Sequence, residues 1–155
     1  MPAAIRKNKQ AASETIENNV RRLILDESPI NPKYYEKMSE LLDALIAQRK
    51  QDALDYQKYL QKVIEIARQV KNGPDAGAYP KSLDSRAKRA LFDNLDKDEA
   101  LALKVDCAVR ANLQDGWRGN KMKTRKVWLA IREVLAGRDE RIDKIVELAK
   151  SQDEY

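Results

Sequence analysis

The segment NPKYYEKMSELLDALIAQRK, Asn31 to Lys50, carries the clearest helix signal in the chain. Asn31 followed by Pro32 is typical of an N-cap and a first-turn proline, because the asparagine side chain accepts from free backbone N–H groups and proline has none. Apolar residues then recur at helical spacing, at Tyr35, Met38, Leu42, Leu45 and Ile46. The pattern predicts an amphipathic helix that ends near Lys50.

A second long helix is predicted immediately after this one. Asp55 is a candidate N-cap, and Gly73 is a candidate stop because glycine adopts the left-handed conformation that ends helices. The inward positions between them are Tyr59, Leu60, Val63, Ile66 and Val70. Two long helices joined by a short link predict an antiparallel αα-hairpin over residues 32–71.

Upstream of the hairpin, Ser13 is the expected N-cap of a helix that stops near Asp26. Proline cannot continue that helix at Pro29 or Pro32. Residues 1–12 are expected to be a flexible tail or the remnant of a preceding helix. Residues 13–155 are predicted to form a single helical domain, with the hairpin packed on a C-terminal helical cluster.

Downstream, the glycine- and proline-rich segment 72–82 is interpreted as a loop within that domain. Asp84 is expected to cap a short helix, and Asp96 with Glu99 resembles a capping box for the next one. Gly137 is expected to follow the sixth helix, and Asp139 to cap the seventh. The prediction is an all-α fold of about seven helices.

The helix after Asp96 is predicted to be central because it is apolar on more than one side. One stripe comprises Leu101, Val105, Ala108 and Val109, and the other comprises Leu103, Cys107 and Ala111. A helix packed between neighbours shows such a pattern. Cys107 is therefore interpreted as a small packing residue.

The amino-acid composition is typical of a helical protein and limits the classes of function that the chain can have. The 155 residues are 35% charged and 6% aromatic, with only 5 glycines and 5 prolines. A single cysteine cannot form an internal disulfide, and neither a membrane-length apolar run nor a signal segment is visible. We expect a cytoplasmic protein with no membrane contact.

The residues of common catalytic sites are missing from the sequence. There is no histidine, which removes the usual general base, and no glycine-rich phosphate loop followed by Lys-Ser or Lys-Thr. The acidic cluster Asp93, Asp96, Asp98 and Glu99 lacks the glycine and glutamate of a calcium loop and is explained by helix capping. We expect no catalytic residues, metal, cofactor or small-molecule substrate.

The segment DGWRGNKMKTRKVWLAI, Asp115 to Ile131, is the most basic part of the chain and contains both tryptophans. Between Trp117 and Arg132 there is no acidic residue and there are six cations, which are Arg118, Lys121, Lys123, Arg125, Lys126 and Arg132. Turn residues precede a helix whose expected inward stripe is Thr124, Trp128, Ile131 and Leu135. The sequence predicts a basic amphipathic helix.

Two interpretations of this segment stay open. It is either a solvated basic face with Trp128 in the core, or a surface for an anionic partner with Trp117 as an exposed anchor. A net charge of +5 limits any such site to a local patch. The candidates for contact with DNA phosphates are Arg118, Lys121, Lys123, Arg125 and Lys126.

Four segments together resemble the C-terminal region of the R subunit of type I restriction enzymes. They are ETIENNVRRLILDE (Glu14–Glu27), NPKYYEKMSELLDALI (Asn31–Ile46), YPKSLDSRAKRALFDNL (Tyr79–Leu95) and DGWRGN (Asp115–Asn120). The complete R subunit carries a nuclease domain and two ATP-driven translocase domains ahead of a helical region. This chain resembles only the helical region.

The resemblance implies a non-catalytic domain that helps to attach the motor to the M and S subunits and lines a DNA path. Together with the basic segment, it predicts weak, sequence-independent contact with double-stranded DNA. Trp117, Tyr34 and Arg86 lie in the quoted segments and are the candidates for partner contact. The alternatives are a stand-alone helical nucleic-acid-binding protein and a purely structural helical module.

Overall fold

The structure, a computed structural model, describes residues 3–136 and 139–155. Within those residues it contains seven α-helices and no strand, which confirms the all-α prediction. The helices are α1 (Ala3–Glu27), α2 (Pro32–Lys50), α3 (Tyr56–Asn72), α4 (Arg86–Asn94), α5 (Glu99–Ala111), α6 (Lys121–Val134) and α7 (Ile142–Lys150). The predicted stop at Gly137 and the side chain of Asp139 lie outside the described part.

The chain divides into two compact units. Unit 1 comprises Met1–Ser28 and Tyr35–Gly73, and unit 2 comprises Pro29–Tyr34 and Pro74–Tyr155. The single domain expected from residue 13 onward stays a prediction.

The caps of α2 and α3 are those that the sequence predicted. The side chain of Asn31 accepts a hydrogen bond from the N–H of Tyr34 at 3.3 Å, one turn into α2. Asp55 accepts from the N–H of Lys58 at 2.9 Å, and Gly73 ends α3 with a φ of 74°. Each cap satisfies backbone groups that a helix end leaves unpaired.

In unit 1, α2 and α3 form the predicted antiparallel hairpin. The hydroxyl of Tyr35, at the start of α2, donates to the carbonyl of Val70, near the end of α3, at 3.2 Å. The buried apolar side chains of the unit are Val20, Ile24, Tyr35, Met38, Leu42, Leu45, Tyr59, Val63, Ile66 and Val70. They recur at helical spacing on all three helices, so each helix buries one apolar face.

Helix α1 begins ten residues earlier than its predicted cap. It starts at Ala3 and runs through Ser13, so the N-cap assignment for that serine is wrong. The Ser13 hydroxyl instead donates to the carbonyl of Lys9 at 2.8 Å, one turn back along the same helix. A serine can bond within a helix as well as cap one, and sequence alone does not separate the two roles.

A buried carboxylate, Glu17, connects the three helices of unit 1. It is 5% exposed and accepts from Arg49 Nε at 2.6 Å and from Arg49 Nη2 at 2.9 Å. The hydroxyl of Tyr59 donates to the same carboxylate at 2.7 Å. Burial, and then the bond to Glu17, raises the pKa of Tyr59 well above its ordinary value.

In unit 2, α5 packs against both α4 and α6, as expected of a central helix. Its buried face is Ala102, Val105, Asp106 and Val109. The predicted second stripe is wrong, because Cys107 and Ala111 are exposed. The neighbours cover one side of α5 fully, and apolar residues on the opposite side are left to solvent.

The N-cap of α5 lies two residues beyond its predicted position. Asp96 and Lys97 have left-handed φ values of 57° and 58°, so both residues belong to the turn between α4 and α5. Asp98 is the N-cap, and its side chain accepts from the N–H of Leu101 at 3.0 Å. The interpretation of Asp96 as the cap is therefore wrong.

The cap of α4 is likewise shifted by one residue. Ser85 accepts from the N–H of Lys88 at 3.2 Å, whereas the predicted cap, Asp84, pairs with the ammonium group of Lys88 at 2.9 Å. That ion pair lowers the pKa of Asp84. Adjacent Asp and Ser are both good caps, so the sequence did not distinguish them.

The segment after α7 is fastened to α5 and to residue 30 within unit 2. The hydroxyl of Tyr155 donates to the buried carboxylate of Asp106, which also accepts from Arg110 Nε at 3.1 Å. Gln152 Nε2 donates to the carbonyl of Ile30 at 2.7 Å. The last residues are therefore part of the packed unit.

Candidate functional site

The loop ahead of α6 fixes the orientation of the basic helix. Gly116 has a φ of 70°, a left-handed conformation that glycine adopts without strain. Asn120 then caps α6 by accepting from the N–H groups of Met122 at 3.0 Å and Lys123 at 3.1 Å. The side chain of Thr124 donates to the carbonyl of Trp117 and ties the helix back to the loop.

The inward face of α6 is set by Val127, Ile131 and Leu135, which are at most 1% exposed. Because side chains three and four residues apart share a helix face, the basic residues are turned outward. The exposed cations of α6 are Lys121, Arg125, Lys126 and Arg132. We call these four residues the cationic face.

Trp117 is not the exposed anchor that the sequence predicted. It is 3% exposed and belongs to the core of unit 2. It precedes α6, in a short turn of 3-10 helix, so no helical periodicity predicted its direction. Its indole N–H is buried without a hydrogen-bond acceptor among the described residues.

Trp128, predicted to be core, lies half-buried at the edge of unit 2. Its indole N–H donates to Asp143 at 2.9 Å. The guanidinium carbons of Arg125 and Arg132 each lie 5.7 Å from the centre of its ring, within the range of cation–π attraction. Trp117 is thus buried where an exposed anchor was predicted, whereas Trp128 packs against the core but is only half-buried. Trp128 also orients two arginines of the cationic face.

Two of the predicted phosphate contacts are engaged within the protein. The guanidinium group of Arg118 donates to the carbonyls of Lys150, Gln152 and Tyr155 at 2.9, 2.5 and 2.7 Å. The ammonium group of Lys123 donates to the carbonyl of Asp115 at 2.6 Å. Arg118 binds the last carbonyl of α7, which a helix leaves without a partner, and two carbonyls beyond it. Both side chains therefore serve the scaffold.

The cationic face has no such internal partners. Within the described part of the chain, Lys121 and Lys126 make no ion pair or hydrogen bond, and Arg125 and Arg132 make only their contacts with Trp128. Their charges are available to a ligand from solution.

A cavity of about 300 Å³ opens beside this face and is lined by Arg118, Gly119, Lys121, Thr124, Arg125, Trp128 and Lys150. We call it the basic pocket. Four of its lining residues are cationic and none is acidic. Like charges that line a concave surface reinforce one another's field and concentrate anions there.

The nearest carboxylates of α7 are already engaged. Asp143 accepts from the indole of Trp128, and Glu147 lies 3.4 Å from the ammonium group of Lys150. That ion pair is exposed and therefore weak. The basic pocket consequently keeps a net positive lining.

A second cavity, of about 510 Å³, adjoins α6 and is lined by Gln114, Asn120, Met122, Lys123, Arg125, Lys126 and Leu129. We call it the apolar groove, because mostly carbon atoms form its surface. Sequence reasoning missed it. The only available signal was the spacing of Met122 and Leu129, two turns apart among polar residues.

The other two predicted partner contacts lie away from the basic pocket. Tyr34 is half-buried in unit 2, and its backbone N–H is bonded to Asn31. Arg86 is exposed beside a cavity of about 260 Å³ whose lining also contains Asp153 and Glu154. Neither residue lines the basic pocket or the apolar groove.

Within residues 3–136 and 139–155, no three His, Cys, Asp or Glu side chains are grouped so that they could hold a metal ion. Among the helices described, none has both the length and the apolar character required to cross a bilayer.

Comparisons with protein-family models, curated proteins and solved structures found no match. Function is therefore inferred from the geometry around α6 and from the resemblance of the four sequence segments.

Proposed function

We propose that this chain is a non-catalytic helical assembly domain of a type I restriction enzyme R subunit. In this role it docks the motor onto the M and S subunits and contacts the backbone of double-stranded DNA without reading its sequence. The resemblance of the four quoted segments supports the docking role. The cationic face supports the DNA contact.

The single observation that carries the DNA contact is that Lys121, Arg125 and Lys126 are all exposed on α6 and have no ion-pair partner among the described residues. A cation without an internal partner breaks no ion pair when it meets a phosphate. Each phosphate that it neutralises releases condensed counterions, so binding is favoured at low salt and is insensitive to sequence. Asn120, which could hydrogen-bond to a base, is already used as the cap of α6.

The test is a triple substitution, Lys121→Gln, Arg125→Gln and Lys126→Gln, measured on a mixed-sequence duplex over a range of salt concentrations. The slope of log affinity against log salt should flatten by roughly 0.9 for each phosphate that the variant no longer neutralises. Lys123 is left unchanged, because its ammonium group binds a carbonyl of the loop. Circular dichroism should show an unaltered helix content.

A matched control removes three exposed lysines from α3, by Lys58→Gln, Lys62→Gln and Lys71→Gln. It changes the net charge equally, so a local site predicts that its salt slope stays at the wild-type value. Equal flattening in both triple variants would show only a general charge effect and would remove the proposed DNA surface.

The docking role is tested by capture of purified M and S subunits from the same genome on the immobilised wild-type chain. Capture supports the assembly domain. DNA binding without capture would favour a stand-alone nucleic-acid-binding protein, and failure of both would leave a structural helical module.

A further inference from the structure

The apolar groove beside α6 exposes two side chains of the kind that normally fill cores. Met122 is 83% exposed and Leu129 is 44% exposed, and they are the only large hydrophobic residues of unit 2 this exposed among those described. Seven residues apart, they lie two turns along one helix face and line the same cavity. Apolar side chains gathered in an exposed concavity mark an interaction site.

The charges around the groove indicate what it binds. Lys123, Arg125 and Lys126 contribute to its lining and no acidic residue does. Lysine and arginine stems cover apolar surface while their charged ends stay in solvent. The result is an apolar floor with a positively charged rim.

We infer that the apolar groove docks an acidic amphipathic helix of a partner protein. Leucine-type side chains on one face of that helix would fill the floor, and glutamate or aspartate beside them would meet Arg125 and Lys126. Met122 suits such a floor because its unbranched, polarisable side chain adapts to the shape of its neighbour. The inference rests on the proposed assembly role, for which it supplies a docking surface and the chemistry of the partner.

Other occupants fit the groove less well. A phosphate backbone gains nothing from contact with an apolar floor. A bilayer surface favours a convex apolar ridge, whereas this site is concave and presents only Met122 and Leu129. A second copy of the same face would oppose the cations of one chain with those of the other.

The direct test observes the methionine methyl groups by NMR. The chain has three methionines, Met1, Met38 and Met122, of which Met38 is 3% exposed in the core of unit 1 and serves as an internal reference. The probe is a synthetic helix of about 18 residues, roughly five turns, with leucine at helical spacing and glutamate elsewhere. The Met122 methyl signal, assigned by its disappearance in Met122→Leu, should shift and saturate while that of Met38 stays.

Two further peptides test the charge and the periodicity. In one, lysine replaces every glutamate, and in the other the original residues are scrambled so that the apolar face is destroyed. Neither should shift the Met122 signal. An equal shift with the lysine peptide, or no shift with the glutamate peptide, would overturn the inference.

The double variant Met122→Gln, Leu129→Gln should bind the glutamate peptide about tenfold or more weakly, as expected when two central apolar side chains are removed from an interface. The matched control is Leu25→Gln, an α1 residue that is 68% exposed, and it should bind normally. The double variant should keep the wild-type salt slope for DNA, because the charges of α6 are intact.

These outcomes separate the inference from the proposed function. If the chain captures the M and S subunits but does not bind the peptide, the inference about the groove is wrong and the proposed assembly role stands. If it binds the peptide but neither captures the subunits nor binds DNA, the groove stands and the proposed function is wrong. If the chain binds phosphatidylserine vesicles and not the peptide, and the double variant abolishes that binding, the apolar groove would be assigned to a membrane surface. A dimer that the double variant dissociates would assign it to a second copy.

Discussion

Each unit of the molecule has a buried carboxylate that accepts hydrogen bonds from a tyrosine and an arginine, but the two clusters connect different elements of the fold. In unit 1, Glu17 on α1 receives Arg49 from α2 and Tyr59 from α3. In unit 2, Asp106 accepts hydrogen bonds from Arg110, four residues along the same helix, and from Tyr155, in the segment after α7. The first cluster joins three long helices, and the second fastens a short segment to one helix.

The two clusters also differ in how much water reaches the arginine. The Arg49 side chain is 14% exposed, whereas that of Arg110 is 42% exposed and shares its charge with Glu154 at 3.1 Å. Water screens an exposed pair, so the same contact stabilises less there than in the interior. The chemistry of the groups is alike, and their burial and connectivity decide how much each cluster stabilises its unit.

The largest expected effect is that of Arg49→Ala, which leaves the buried Glu17 carboxylate without its cation. The free energy of unfolding should fall by about 3–5 kcal/mol, measured by urea denaturation with circular dichroism. Replacing both partners, by Glu17→Leu with Arg49→Met, should cost less than the single change, because no charge is then stranded. In that double variant the Tyr59 hydroxyl still has the carbonyl of Ser13 at 3.3 Å.

The control for this prediction is an exposed ion pair of the same unit. Arg21 lies 2.7 Å from Asp43, and the two side chains are 40% and 61% exposed. Arg21→Ala should therefore cost only about 0–1 kcal/mol. If Arg21→Ala and Arg49→Ala cost the same, burial does not govern the strength of these pairs.

A smaller decrease is expected from Tyr155→Phe, which removes one donor from Asp106 and leaves Arg110 in place. A hydrogen bond to a charged group contributes about 1.5–3 kcal/mol. Tryptophan fluorescence is the appropriate measurement, since Trp117 and Trp128 both belong to unit 2. Tyr56→Phe, whose hydroxyl has no hydrogen bond within the described residues, should be neutral, and a neutral Tyr155→Phe would mean that the segment after α7 is held by other contacts.

The smallest loss of stability per residue is expected at high pH, from three tyrosines with raised pKa values. Burial, with help from Glu17, Asp93 and Asp106 respectively, raises the pKa of Tyr59, Tyr79 and Tyr155. Above pH about 10, unfolded tyrosines release protons that these three retain in the folded state. The folded state then binds more protons than the unfolded state, so stability falls as pH rises, by on the order of 1 kcal/mol per tyrosine one pH unit higher.

Below pH about 10 this contribution is fully present, so the window in which it disappears lies above that pH. Unit 2 contains two of the three tyrosines and should be destabilised more steeply than unit 1. Urea titrations followed by fluorescence and by circular dichroism at increasing pH measure the difference, and Tyr59→Phe should flatten the pH dependence of unit 1. Constant stability up to pH about 11 would contradict the raised pKa values.

The sequence predicted the parts of the fold that depend on local chemistry. Asn31, Asp55 and Gly73 mark helix ends because their own side-chain or backbone properties suit those positions. Ser13 and Asp96 failed for a related reason, since good capping residues also occur inside helices and in turns. The number and class of the helices survive such errors, because the apolar periodicity is carried by many residues.

The candidate site was predicted less well, because its details depend on contacts between distant residues. The bonds from Arg118 to three carbonyls between residues 150 and 155 have no local signal, yet they remove that arginine from the predicted phosphate contacts. A rotation of one position around α6 places Val127 inside and Trp128 at the edge. The exposure of Lys126 was predictable, since helical spacing places it opposite the predicted apolar stripe of α6.

Unit 2 joins residues that are far apart in the chain, because the side chain of Gln152 donates to the carbonyl of Ile30. During synthesis from the N-terminus, every residue of unit 1 up to Gly73 is made before most of unit 2 exists. The segment Pro29–Tyr34 is therefore made before its partners in unit 2, which follow Gly73 in the sequence. The order of translation favours completion of the first three helices before the segment that carries the cationic face can be held in place.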